Sequence, residues 1–253
     1  GTVTGVQTCA LPICGADRVG RLNSGTGVID EFSGHGLSAN AGLSDIQMAP
    51  NGRLWIGAEW SKRLVRLIVT STVDYSFKEY TDTLRPTFGV APASIAVEDN
   101  NSIWLAIPSG SVAAQRLAKF TPSTEIFDWS MLLNGSQPQE LAIAPGNLWF
   151  SDKPRNELTQ IELGTNTILN PFGPITRPVR LAAESSTVLW SALHTRPPAI
   201  GRLQAGTPPS STVTMYNLPD PRLTPSAIDV AADGAIWVAA YRSELYLPII
   251  RRT

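Results

Sequence analysis

Cysteine, histidine and charge are all scarce in this chain. Its 253 residues include two cysteines and two histidines, and 16% of them are charged, against about 25% in an ordinary soluble domain. Both cysteines, Cys9 and Cys14, fall in the first 14 residues. The remainder therefore has no disulfide framework, no cysteine nucleophile and no thiolate zinc site. The charges balance, 20 basic against 21 acidic for a net charge of −1. That argues against the clustered positive field that nucleic acid or an anionic membrane surface requires. No apolar run approaches the roughly 20 residues of a membrane span. Gly-x-Gly-x-x-Gly and P-loop patterns are missing, and helical periodicity is absent throughout. Glycine and proline are abundant, at 20 each, and the seven tryptophans outnumber the three methionines. With 43% hydrophobic residues, such a turn-dense chain buries a core as an all-β domain.

Residues 3–13, VTGVQTCALPI, resemble the translation of a common short-read sequencing adapter, codon for codon. The adapter's last base opens a cysteine codon where Cys14 stands. Residues 1–14 are accordingly read as non-native and set aside from fold reasoning. The domain is expected over residues 15–253.

A repeat organises that domain. Trp55, Trp104, Trp149, Trp190 and Trp237 each follow a leucine or isoleucine, at spacings of 41 to 49 residues. Pro92, Pro138, Pro178 and Pro225 stand 11 or 12 residues before the last four, and Leu43 holds that slot before the first. An aliphatic residue follows the slot by three: Ile46, Ile95, Leu141, Leu181 or Ile228. Polar turns such as Pro50-Asn51-Gly52 and Pro145-Gly146-Asn147 separate these short apolar runs, which is a hairpin signal. Later strands are expected at 64–67 and 76–80, 115–120 and 125–129, 158–163, and 200–203 with 212–216. Four antiparallel strands per unit of about 40–45 residues is the signature of a β-propeller blade.

The expected architecture is an incomplete ring. Four whole blades begin near residues 43, 92, 138 and 178, with partial blades at both ends, the last beginning near 225. The N-terminal piece supplies Arg18–Leu22 and Val28–Phe32 as third and fourth strands. Tyr246–Ile250 falls where a third strand of the last blade belongs. A tryptophan recurring at one slot reads as a wedge between neighbouring blades, and Trp60 and Trp129, outside the pattern, read as surface candidates.

These repeats resemble the virginiamycin B lyase (streptogramin lyase) family, related to NHL-type propellers. The pieces that carry the resemblance are Arg18–Leu22, Thr26–Phe32, Pro50–Trp55, Leu148–Asp152 and Ile200–Leu203. The resemblance implies a carbon–oxygen lyase that uses magnesium, a histidine and, about one blade later, a Glu-x-His pair. This chain has His35 and His194 and no Glu-x-His, so the catalytic pattern does not carry over and no catalytic residue is assigned.

On a propeller, loops before strand one and after strand two share one face around the channel mouth. Before strand one stand Asp45, Ser94, Glu140, Arg180 and Ala227; after strand two stand Glu59, Ser109, Asp152, His194 and Tyr241. Of these, Asp45, Glu59, Glu140, Asp152, Arg180, His194 and Tyr241 are the candidate ligand-binding residues. Their carboxylates suit a hard cation, so magnesium or calcium is the candidate ion. The rival is that they are charged loop residues paired with one another. His35 is expected to be inert, and Arg21 and Arg202 to pair with neighbouring carboxylates. The expected role is a non-catalytic propeller that presents its channel mouth to a small molecule, glycan or protein. The alternative is a metal-assisted lyase or lactonase acting on a cyclic ester. Low charge, the cysteine-free body and a tail at 246–252 resembling exported bacterial termini point to a secreted bacterial protein.

Overall fold

The computed structural model describes residues 10–13, 17–23, 25–82, 91–108, 115–132, 135–152, 154–169, 171–206 and 211–242. Ser109, Tyr246–Ile250 and the side chain of Trp129 lie outside that set. The described residues contain strands and turns and no helix, so none could cross a membrane as a helix. The chain folds as two compact units, residues 1–141 and 142–253.

In the first unit, β1 (Ala10–Ile13), β2 (Arg18–Leu22) and β3 (Ile29–Ser33) form a three-stranded sheet. The strands β4 (Leu43–Met48), β5 (Leu54–Ala58), β6 (Arg63–Val69) and β7 (Tyr75–Tyr80) form the first four-stranded blade in simple up-and-down order. The next is β8 (Ser94–Asp99), β9 (Ser102–Ile107), β10 (Arg116–Thr121) and β11 (Ile126–Leu132). A third begins at the end of the first unit with β12 (Pro138–Ala144) and has its remaining strands, β13 (Asn147–Asp152), β14 (Glu157–Glu162) and the two-residue β15 (Thr167–Ile168), in the second. The second unit continues with β16 (Pro178–Ala183), β17 (Val188–Leu193), β18 (Ala199–Gln204) and β19 (Thr212–Asn217). The last described strands are the hairpin β20 (Leu223–Val230) and β21 (Ile236–Arg242). Four whole blades flanked by partial ones are what the repeat implied, with strand ends shifted by up to three residues.

One strand was not expected. Ala10–Ile13, inside the adapter-like stretch, pairs antiparallel with β2 from Ala10↔Arg21 to Ile13↔Arg18. Strand pairing runs through main-chain groups, so an apolar segment beside an open strand edge can add to it whatever its sequence.

The turns follow the residues that dictate them. Pro145-Gly146 joins β12 to β13, with Gly146 at φ +78°, a conformation glycine adopts without steric cost. The proline slot has its own geometry. Leu43 pairs with Ala58, Pro178 with Leu193 and Pro225 with Ala240, and in each case the register then slips by one residue. Pro178 opens the pairing of β16, whereas Pro225 follows two paired residues of β20, and in both the adjacent bulge re-aims the side chains that follow.

Cores form between successive sheets. In the first unit Val19 and Phe32 of the three-stranded sheet pack with Leu43, Ile56, Val65 and Phe77. Trp55 packs with Tyr80 of its own blade and Phe120 of the next, at ring distances of 5.7 and 5.6 Å. In the second unit Trp149 meets Phe172 at 5.4 Å within a cluster that includes Leu181, Leu189 and Leu203. Trp55, Trp104 and Trp149 are at most 1% exposed, which fits the inter-blade wedge. The slot is not uniform, however. Trp190 is half-buried, and Trp237, on the terminal hairpin, is 69% exposed. Its sheet has two described strands, too few to enclose the ring.

The indole N–H groups divide differently. Trp104 donates to Glu98 at 2.8 Å and Trp190 to Glu184 at 2.6 Å. Both acceptors stand six residues before their tryptophan. At that offset Trp55 has Ala49 and Trp149 has Ile143, and both of those buried indole nitrogens lack a hydrogen-bond partner among the described residues.

Candidate functional site

The seven candidate residues separate between the two units. In the first unit Asp45 stands within β4, not before it, because the strand continues through its bulge. Its carboxylate is a joint between blades. Oδ2 accepts the Ser94 hydroxyl at 2.9 Å and the Ile95 N–H at 2.8 Å, and Oδ1 accepts the Ile46 N–H. Ser94 is itself 1% exposed and accepts the Leu141 N–H at 3.1 Å. The result is a relay of hydrogen bonds through β4, β8 and β12. Ser44 adds a parallel link, donating to the Pro92 carbonyl at 2.6 Å. Glu140 lies inside β12, and Glu59 follows β5, where its N–H bonds the Gly42 carbonyl.

In the second unit Asp152 is the last residue of β13 and is 1% exposed. Its Oδ1 accepts the Arg155 N–H at 3.3 Å, and the Arg155 guanidinium lies 3.7 Å from Oδ2. Arg180 lies in β16, and its Nε donates to the Ser226 carbonyl at 3.1 Å. Ala227 stands in β20, beyond the bulge. Tyr241 lies in β21 opposite Thr224 and is 54% exposed. All five positions expected before strand one (Asp45, Ser94, Glu140, Arg180 and Ala227) are thus strand residues, as are Asp152 and Tyr241, expected after strand two, and Asp45 and Arg180 tie blades together.

His194 is the candidate that opens on a cavity. It follows β17, half-buried, and its N–H bonds the Arg177 carbonyl. Its Nε2 lies 3.1 Å from the Pro225 carbonyl oxygen. Because a carbonyl only accepts, Nε2 carries the proton, and in the neutral ring Nδ1 is left as an acceptor. The cavity beside it has a volume of about 550 Å³. Its described wall includes Thr176, Arg177, His194, Arg196, Leu223 and Thr224, and contains no carboxylate.

Sequence reasoning did not select Arg177, Arg196 or Thr224. A signal was present: Thr-Arg-Pro occurs twice, at 176–178 and 195–197, once at each end of the β16–β17 hairpin. Arg177 is held at φ +51°, with its N–H donated to Asn156 Oδ1 at 2.8 Å. In the first blade the equivalent position, before the proline slot, is Gly42 at φ +64°.

Electrostatics around this end of the unit are largely settled by pairing. Arg222 binds both Asp220 oxygens, at 3.0 and 2.9 Å, and Arg242 lies 3.1 Å from the same carboxylate. The hydrogen bonds from Arg222 hold the Asp220 carboxyl well below the usual carboxylate range. Arg202 lies 4.0 Å from Glu184 and over the Trp190 ring, and in the first unit Arg21 binds Asp30 at 2.6 Å, as expected for both arginines. His35 stacks on Tyr75 at 4.4 Å in the first unit.

The magnesium implied by the resemblance does not find a ligand set among the described residues. Asp45 already accepts three donors, Asp152 faces Arg155, and the described residues hold no group of three or more His, Cys, Asp or Glu at metal-binding distance.

The four-stranded blades define a β-propeller, and comparison with known proteins narrows the class. The sequence profile of the virginiamycin B lyase family matches residues 10–246. The chain belongs to that family. A catalytically inactive variant of virginiamycin B lyase from Staphylococcus aureus, solved with quinupristin, is similar with a TM-score of 0.70 and 21% identity, over 94% of this chain and 78% of that one. The selenomethionine-substituted enzyme from the same organism gives 0.68 and 21%, over 88% and 70%. A streptogramin B lyase structure gives 0.68 and 18%, over 93% and 80%. No curated relative matches the chain.

Proposed function

We propose that this chain is a small-molecule-binding member of its family, with its ligand held in the cavity bordered by Arg177, His194 and Thr224. The observation that carries the reading is that cavity, whose volume of about 550 Å³ falls within the roughly 300–1,000 Å³ of ordinary ligand pockets. Binding is favoured over turnover because acid–base catalysis needs a positioned proton carrier with its partners. Here the sequence has His194 without a Glu-x-His pair. Asp45 and Arg180 leave the ligand-binding set and become blade joints, while His194 stays in it.

The second reading is a lyase or lactonase acting on a cyclic ester. What favours it is His194, whose Nε2–H is committed to Pro225 so that Nδ1 remains to accept a proton. Quinupristin, present with the Staphylococcus aureus relative, is the probe for both. The experiment is a calorimetric titration with quinupristin, then chromatography and tandem mass spectrometry of the recovered compound. Saturable binding that His194→Ala abolishes, with the compound returned unchanged, supports the binding reading. A ring-opened isomer, or a product heavier by one water, supports the second. No binding overturns the first.

A further inference from the structure

The cavity carries a more specific assignment, which rests on its reading as a ligand site. Among the described arginines of the second unit, Arg155, Arg202, Arg222 and Arg242 face carboxylates, and Arg180 bonds a carbonyl. Among the described residues Arg177 and Arg196 meet no carboxylate, and both line the same cavity. Thr176 adds a hydroxyl to that wall. Thr195 does not contribute a donor, since its hydroxyl is given to the Pro197 carbonyl at 2.7 Å. No carboxylate of the described residues lines the space. Two arginines that line one concave site and face no carboxylate among the described residues have the chemistry to bind a planar or tetrahedral oxyanion, which arginine holds through paired N–H donors.

The backbone supports this assignment. Arg177 occupies left-handed space at φ +51°, a conformation disfavoured for any side chain with a Cβ. The first blade has glycine at that slot, so nothing in the blade geometry calls for an arginine. It is fixed on both sides, by Asn156 at its N–H and by the His194 N–H at its carbonyl. The same hydrogen bond ties it to the histidine in the cavity wall.

We propose that Arg177 and Arg196, with the Thr176 hydroxyl, bind the carboxylate or phosphate group of a small-molecule ligand. The test is calorimetry on the full chain with inorganic phosphate and, separately, malonate, beside the quinupristin titration. The variants are Arg177→Gly and Arg196→Gln. Glycine adopts the φ of Arg177 freely, so Arg177→Gly removes the cation while the melting temperature holds or rises. Saturable binding of at least one anion, weakened about tenfold or more by each variant, supports the proposal. Phosphate alone assigns a phosphate ester, and malonate alone a carboxylate. Anion binding that is absent, or unchanged in both variants, overturns it. Quinupristin still bound in that case leaves the ligand site standing, and no binding of any probe removes both.

Discussion

Replacing Trp104 with phenylalanine should destabilise the fold far more than the same change at Trp55. Both rings fill the inter-blade slot and are at most 1% exposed. Shrinking an indole to a phenyl ring removes on the order of 40 Å² of apolar contact, worth about 1 kcal/mol. The space left behind adds roughly another 1 kcal/mol. To this point the two sites cost the same. The indole nitrogens then separate them. Trp104 donates to the Glu98 carboxylate at 2.8 Å, and losing a hydrogen bond to a charged group costs about 1.5–3 kcal/mol. Trp55 has a buried N–H with no acceptor among the described residues, and removing an unsatisfied donor returns about 1–2 kcal/mol. The expected costs are therefore about 4 kcal/mol at Trp104 and about 0–1 kcal/mol at Trp55, a difference of about 3 kcal/mol. Urea titrations of the two variants against the parent, with a shared slope, read this from their midpoints. Equal costs, or the larger one at Trp55, would refute the role given to the glutamate six residues upstream.

Three further outcomes follow from the same geometry. Asp45→Ala removes the acceptor of the Ser94 hydroxyl and of the buried Ile95 N–H, and should cost about 2–3 kcal/mol, with the Ile95 amide among those losing hydrogen-exchange protection. Gly42→Ala forces a side chain into φ +64° with its Cβ 2.3 Å from the Trp60 ring; it should cost about 1–2 kcal/mol for the backbone alone and shift tryptophan fluorescence as Trp60 is displaced. Asp220→Asn should lower the melting temperature at neutral pH. Because the folded carboxyl titrates below its unfolded value, its contribution is present above about pH 3.9 and lost as pH falls through the folded value. The gap between variant and parent should therefore close on acidification.

The blades were legible because their determinants are local and periodic. Proline or leucine at the slot near the start of strand one, a short polar turn, and an aliphatic-tryptophan pair recur in each blade, and each acts through its immediate neighbours. Ala10–Ile13 carries none of these signals, yet it pairs with β2. Exposure at the tryptophan slot was less legible, since it depends on the neighbouring sheet: Trp149 and Trp237 share a motif and differ from 0% to 69%. The site was less legible still. Charged residues near strand ends suggested solvent-facing ligands, yet Asp45 meets Ser94 and Ile95 across 49 and 50 residues, a pairing that only blade stacking creates. Arg177 and Arg196 sit in ordinary Thr-Arg-Pro tripeptides, and their lack of a counter-charge is a property of the folded surroundings. His194 was found because it follows strand two, where the channel mouth was expected, and its link to the Pro225 carbonyl came only with the fold.

The measurement that bears most directly on the proposed role is the fate of quinupristin held by the protein. After equilibrium dialysis to saturation, the bound fraction is released and separated by reversed-phase chromatography. A cavity that binds without turning over returns the intact ring at a ratio approaching one per chain, and His194→Ala retains none. Recovery of an opened ring, by elimination or by addition of water, would contradict the account.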